Sequence, residues 1–157
     1  MRKSIIAQEN RSVVSPELNW LDLPTIARAE LTSEEASHPI ESALNPLGGP
    51  GWRASEPGRQ TIHLFFDEPL HIRRVHLVFH EDEQKRTQEF VLRWSQNEGR
   101  SYKEIVRQQY NFAPPDSSQE IEDYSVDLSG VTALELVIVP DIAGGNSSAS
   151  LARLRLA

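Results

Sequence analysis

The chain contains no cysteine, which excludes disulfide staples, cysteine nucleophiles and thiolate metal sites and agrees with a reducing compartment. It also lacks any apolar run near the roughly 18 residues that a membrane-spanning helix needs. The opening MRKSIIAQENR has only Ile5, Ile6 and Ala7 before Gln8, far short of a secretion-signal core. A cytoplasmic protein without a membrane partner is therefore expected. Positive charge is scarce: 16 Lys and Arg face 23 Asp and Glu, a net charge of −7. A polyanion would be repelled unless the cations gathered on one face, so no nucleic-acid partner is expected.

Catalytic signatures are missing as well. There is no Gly-x-Ser-x-Gly elbow and no His-Glu-x-x-His pair. The stretch SALNPLGGPGWR, Ser42 to Arg53, is rich in glycine and proline, yet it has neither the order of a phosphate loop nor that of a dinucleotide loop. Its composition suits a tightly shaped connection. The acidic pairs Glu81/Asp82 and Glu122/Asp123 are adjacent, so on an extended chain their carboxylates point apart. Only a carboxylate pair assembled from different loops, such as Asp82 with Asp116 or Asp141, would supply acid–base chemistry. No enzyme activity and no cofactor are expected. Nor do the histidines read as a metal set, because His76 and His80 share a strand face at about 13 Å, too far to hold one ion.

What the sequence has is alternation. Ile62, Leu64 and Phe66 share one face of a strand, as do Val75, Leu77 and Phe79, and again Phe90, Leu92 and Trp94. TIARAELTS, YKEIVRQQYNF, IEDYSVDLSG, ALELVIV and ASLARLRLA continue the pattern, about eight strands in all. ESALNPL is predicted to form one short helical turn that Pro46 ends. Such strands without helical crossovers predict an all-β, antiparallel jelly-roll sandwich spanning 25–157, preceded by an arm, 1–24. Trp20, Leu21 and Leu23 give that arm apolar surface to bury, so it is a candidate for docking a protein partner or forming a homo-oligomer.

Antiparallel strands place successive connections at alternate ends. The short ones, 67–71, 95–101 and 129–132, read as turns at one end. The long ones, 33–59, 80–87, 112–119 and 140–150, should crowd the other end and form a binding rim. Arg53, His80, Asp82, Lys85, Arg86, Asn111, Phe112, Asp116, Asp141 and Asn146 are the candidate ligand-binding residues there. Together they offer an aromatic face, amides, carboxylates and forked donors, the chemistry that holds a carbohydrate or a similar small polar ligand. A protein partner docked on the same loops is the alternative. Trp52 is expected to anchor its loop to the core.

Several elements in order carry a family resemblance. These are Pro39-x-x-x-Ala43-Leu44, the loop to Trp52, the Gln60-Thr61-Ile62 strand, Ile72-Arg73-Arg74-Val75 after Pro69, the Ser95-x-Asn97-x-Gly99 turn and the closing ASLARLRLA. Over about Ile26 to Ala157 the chain resembles a discoidin domain, also called the coagulation factor V/VIII type C domain. The resemblance implies a galactose-binding-like jelly roll with ligands held by loops at one end. Relatives that bind a structural calcium ion have an Asp after the Ala-Leu element and a Glu in the last strand. Asn45 and Arg153 stand in those places here, so calcium is disfavoured.

Overall fold

The computed structural model describes residues 19–157, so most of the expected arm, 1–18, lies outside the described residues. Eight strands and two short helices occur among them: α1 (Leu23–Ile26), β1 (Ala27–Leu31), α2 (Glu41–Leu44), β2 (Trp52–Pro57), β3 (Gln60–His80), β4 (Arg86–Ser95), β5 (Lys103–Phe112), β6 (Gln119–Val139), β7 (Ser148–Leu151) and β8 (Arg153–Leu156). All pairings between strands are antiparallel. The short helix predicted in ESALNPL is α2. It stops because Asn45, which precedes Pro46, is driven to extended backbone at ψ 122°.

Two strands of 21 residues, β3 and β6, organise the sandwich. Stretched straight, the 19 steps from Gln60 to Phe79 would span about 60 Å. Yet Phe79 packs on Phe90 with ring centroids 5.2 Å apart. Phe90 pairs with Ile138, which pairs with Gln60. The strand must therefore double back, and β6 bends with it. One layer runs β1, then 60–66 of β3, 133–139 of β6, β4 and β5. Its partner layer holds β8, 72–80 of β3 and 119–128 of β6.

The sequence predicts turns at 67–71 and 129–132. Both are corners instead, because the ladder continues across them through the pair Leu70 and Val131. Alternation falters at a corner for a local reason: register shifts between Phe65 and Arg74 move the inward positions from even-numbered Ile62, Leu64 and Phe66 to odd-numbered Val75, Leu77 and Phe79. A strand break and a corner therefore look alike in sequence. The closing ASLARLRLA also divides, since β7 pairs with β2 whereas β8 pairs with β3.

The core between the layers contains Ile62, Leu64, Leu77, Phe79, Phe90, Leu92, Leu136, Ile138 and Leu154. Each such side chain contributes roughly 1.5–3 kcal/mol on burial. Leu23 is fully buried in the same core and Leu21 N donates to Leu156 O at 2.8 Å, so residues 21–23 pack as part of the sandwich.

The long connections do meet. Glu81 N donates to Ser118 O at 2.8 Å, Ser147 Oγ to Gln84 Oε1 at 2.9 Å and Gly58 N to Ser147 O at 3.1 Å. Residues 96–99 meet the corner instead, with Gln96 Nε2 donating to Ser129 O and Glu98 N to Thr132 Oγ1.

Candidate functional site

Three segments wall a cavity of about 560 Å³: 38–53, 80–84 and 146–152. Strand alternation supplies its first wall. In β2, Trp52 turns inward and is 1% exposed, its indole Nε1 donating to Ser33 O at 3.1 Å, while its neighbour Arg53 turns out to the cavity. The chain reaches this position through Gly51, at φ +87°, where a Cβ would meet Leu151 O at 2.9 Å; only glycine fits so close to β7.

The second wall is the 80–84 loop, and Glu81 holds its shape. One carboxylate oxygen accepts Glu83 N at 2.9 Å and Gln84 N at 3.0 Å, and the other accepts Arg86 Nε at 2.5 Å. Burial pushes the Glu81 pKa up, but the bonds from Arg86 and the two backbone N–H groups outweigh it, and the carboxyl titrates below its ordinary range. His80, Asp82, Glu83 and Gln84 are thereby presented to the cavity. Asn146, Ser147, Ser148 and Ser150 form the third wall, and His38 closes the rim beside Arg53, where Glu35 lies 3.3 Å from the His38 ring and 3.8 Å from the Arg53 guanidinium.

Of the ten predicted ligand-binding residues, the fold brings Arg53, His80, Asp82 and Asn146 together around this cavity. Lys85 is exposed on the same loop but does not line it. Arg86 and Phe112 lie in the interior rather than on the rim: the Arg86 guanidinium stacks over the Phe112 ring at 4.7 Å and donates to Pro140 O at 2.7 Å. Arg86 begins β4 and pairs with Phe112, the last residue of the edge strand β5, so the inward alternation of Arg86, Gln88 and Phe90 reaches both. Asn111 accepts a hydrogen bond from Thr87 Oγ1 at 2.7 Å, and Asp116 is exposed in the 113–117 turn. Asp141 folds its own loop by accepting Ala143 N at 3.1 Å, and it lines a separate hollow of about 270 Å³ with Arg59 and Ile142.

Sequence reasoning missed His38, Glu83, Gln84 and the three serines. A run of serines beside two glycines reads only as loop, and nothing in the neighbourhood of His38 distinguishes it from a surface histidine. Interior polar groups were missed too. Glu120 is 1% exposed, accepts Gln88 Nε2 at 3.1 Å through one oxygen, and has no partner for the other among the described residues. Burial, reinforced by neighbouring Glu122, raises its pKa to about 8.

Asn45 spends its side-chain oxygen on Leu47 N, 2.9 Å away, and Arg153 is exposed. Two residues on, the buried Arg155 guanidinium donates to Ala43 O at 3.0 Å and to Leu154 O at 3.1 Å, placing a positive charge beside the end of α2.

No protein-family model matches the chain, and no curated protein sequence does. Solved structures do resemble it. The module CpGH89CBM32-5 from Clostridium perfringens, in complex with GalNAc-β-1,3-galactose, matches with a TM-score of 0.64 and 18% identity, covering 87% of this chain and 98% of that one. The family 32 carbohydrate-binding module of C. perfringens NanJ, in complex with galactose, gives 0.58 and 14% over 86% of this chain and 96% of that one. A Ruminococcus gnavus GH29 fucosidase in complex with fucose gives 0.61 and 6%, covering 84% of this chain but 25% of the fucosidase. The chain thus shares the antiparallel β-sandwich fold of these solved structures.

Proposed function

We propose that this chain is a non-catalytic module that holds a carbohydrate in the cavity walled by 38–53, 80–84 and 146–152. One observation carries the reading: Arg53, His80, Asp82 and Asn146, from three separate segments, converge on a single polar cavity of about 560 Å³. Such a volume accommodates one or two sugar rings. Its cation, imidazole, carboxylate and amide match the mixed donor and acceptor character of sugar hydroxyls. The resemblance in fold to modules solved with galactose and with GalNAc-β-1,3-galactose supports the same reading. Within that fold, the discoidin-like order of α2, the Gly/Pro loop and the Ser95–Gly99 turn favours a discoidin relative without calcium. Titrating the purified chain with a panel of mono- and disaccharides, followed by amide chemical shifts, tests the proposal; shifts confined to the cavity are expected, and no shift with any sugar would overturn it.

A second reading, a protein-docking domain, has its own observation. Leu47 is 95% exposed beside a hollow of about 270 Å³ lined by Trp20, Arg74 and His76. Light scattering on wild type and Leu47→Ser would test it, with a mass that falls in the variant as the expected result.

A further inference from the structure

Charge in the cavity points to a narrower ligand class, and the argument rests on the carbohydrate reading above. Among the described residues, four that line it carry formal charge: Arg53, Glu81, Asp82 and Glu83. Two of these are already answered. Glu81 is bonded to buried Arg86, and Arg53 faces Glu35 at 3.8 Å. Asp82 and Glu83 remain, both exposed, and among the described residues no hydrogen bond or ion pair holds either carboxylate. They are also not free to swing away with a floppy loop, because the Glu81 carboxylate fixes the backbone of Glu83 and Gln84, and Gln84 is tied to Ser147. With the His38 and His80 imidazoles counted as neutral, the cavity holds two unanswered negative charges on a loop whose backbone is held.

We infer that the site selects sugars bearing a free amine, the hexosamines, over neutral hexoses, and disfavours uronic acids. An ammonium group on the ring gains attraction from Asp82 and Glu83 and displaces no existing partner. A sugar carboxylate meets repulsion from both. Pairs exposed to solvent are screened, so the preference is about threefold per carboxylate and weakens as salt rises.

The test compares galactosamine with galactose, glucosamine with glucose, and galacturonate with galactose, each titrated into the full chain at neutral pH in low and high salt. The expected result is a three- to tenfold preference for the amine in low salt, weakest binding by the uronate, and a gap that narrows in high salt. In the double variant Asp82→Asn, Glu83→Gln, checked for an unchanged melting temperature, the amine and its parent hexose should bind equally. If the neutral hexose or the uronate binds as well as the amine, the inference falls while the carbohydrate reading stands. If the double variant keeps the preference, the inference also falls, because other groups then set it. If no sugar of any charge binds, both fall together.

Discussion

Arg86 and Glu81 are bound to each other across a five-residue loop, Nε to Oε1 at 2.5 Å, with the Arg86 side chain 1% exposed. The same guanidinium reaches Pro140 O, so a single interior cation ties the 80–84 loop to the start of the 140–150 connection. Removing the interior guanidinium leaves the part-buried Glu81 carboxylate and the Pro140 carbonyl uncompensated and costs about 3 kcal/mol or more. Arg86→Met should therefore lower the melting temperature by roughly 10 °C or more. It should also weaken sugar binding, because Glu81 then no longer shapes the loop that presents His80 and Asp82. Arg86→Lys is expected to rescue little, since an ammonium lacks the fork that serves Glu81 and Pro140 together.

Glu120 makes stability fall with rising pH. Its folded-state pKa, pushed up to about 8 by burial and by Glu122, lies above the ordinary 4.5. Below about 4.5 the carboxyl is protonated in both folded and unfolded chains and contributes no slope. Between 4.5 and 8 the unfolded chain releases a proton that the fold retains, so each pH unit removes up to about 1.4 kcal/mol. Above 8 both forms are ionised and the loss is complete. Glu120→Gln, which keeps the shape of the protonated acid, should match wild type near pH 4.5 and exceed it by a few kcal/mol at pH 8, of order 2–5. Denaturant titrations at the two pH values measure the difference.

Arg155 yields a prediction about calcium. Because its guanidinium occupies the carbonyl of Ala43 at the end of α2, the melting temperature should be the same in excess calcium as in chelator. A resident ion at a hundred times its dissociation constant would instead add about 2.7 kcal/mol. Arg155→Met should cost about 1–3 kcal/mol by leaving that buried carbonyl unpaired.

Alternation made the sandwich legible, since Ile62 to Phe66, Val75 to Phe79 and Phe90 to Leu92 each bury the face that the sequence pattern marks. The corners were not legible. A chain that passes from one layer to the other at Leu70 keeps its pairing but shifts its parity, and parity is the only signal that sequence offers there. The site was half legible for a related reason. Loop length reveals which connections crowd one end, but not which way a side chain turns. Asp82 and Arg86 sit four residues apart in one polar run; one reaches the cavity and the other is swallowed by the core, a difference set by where β4 begins its inward alternation. Glu120 gave no warning, because an acid in IEDY-like surroundings at a strand end is ordinarily solvated.

Trp52 and Arg53 both border the cavity but differ in burial, and this sets stability apart from binding. Truncating Trp52, 1% exposed, removes a large core group and its bond to Ser33 O, so Trp52→Ala should cost about 3–5 kcal/mol. Arg53 is exposed, its contact with Glu35 at 3.8 Å is weak, and Arg53→Ala should change stability by no more than about 0.5 kcal/mol. If the cavity holds sugar hydroxyls, losing a charged donor there removes about 1.5–3 kcal/mol of binding, a weakening of roughly tenfold or more. Calorimetry on the two variants should thus move in opposite columns: a lower melting temperature for Trp52→Ala, a weaker sugar titration at unchanged melting temperature for Arg53→Ala. An Arg53→Ala chain that binds every sugar as wild type does would place the ligand somewhere other than this cavity, because among the described residues no other Lys or Arg lines it.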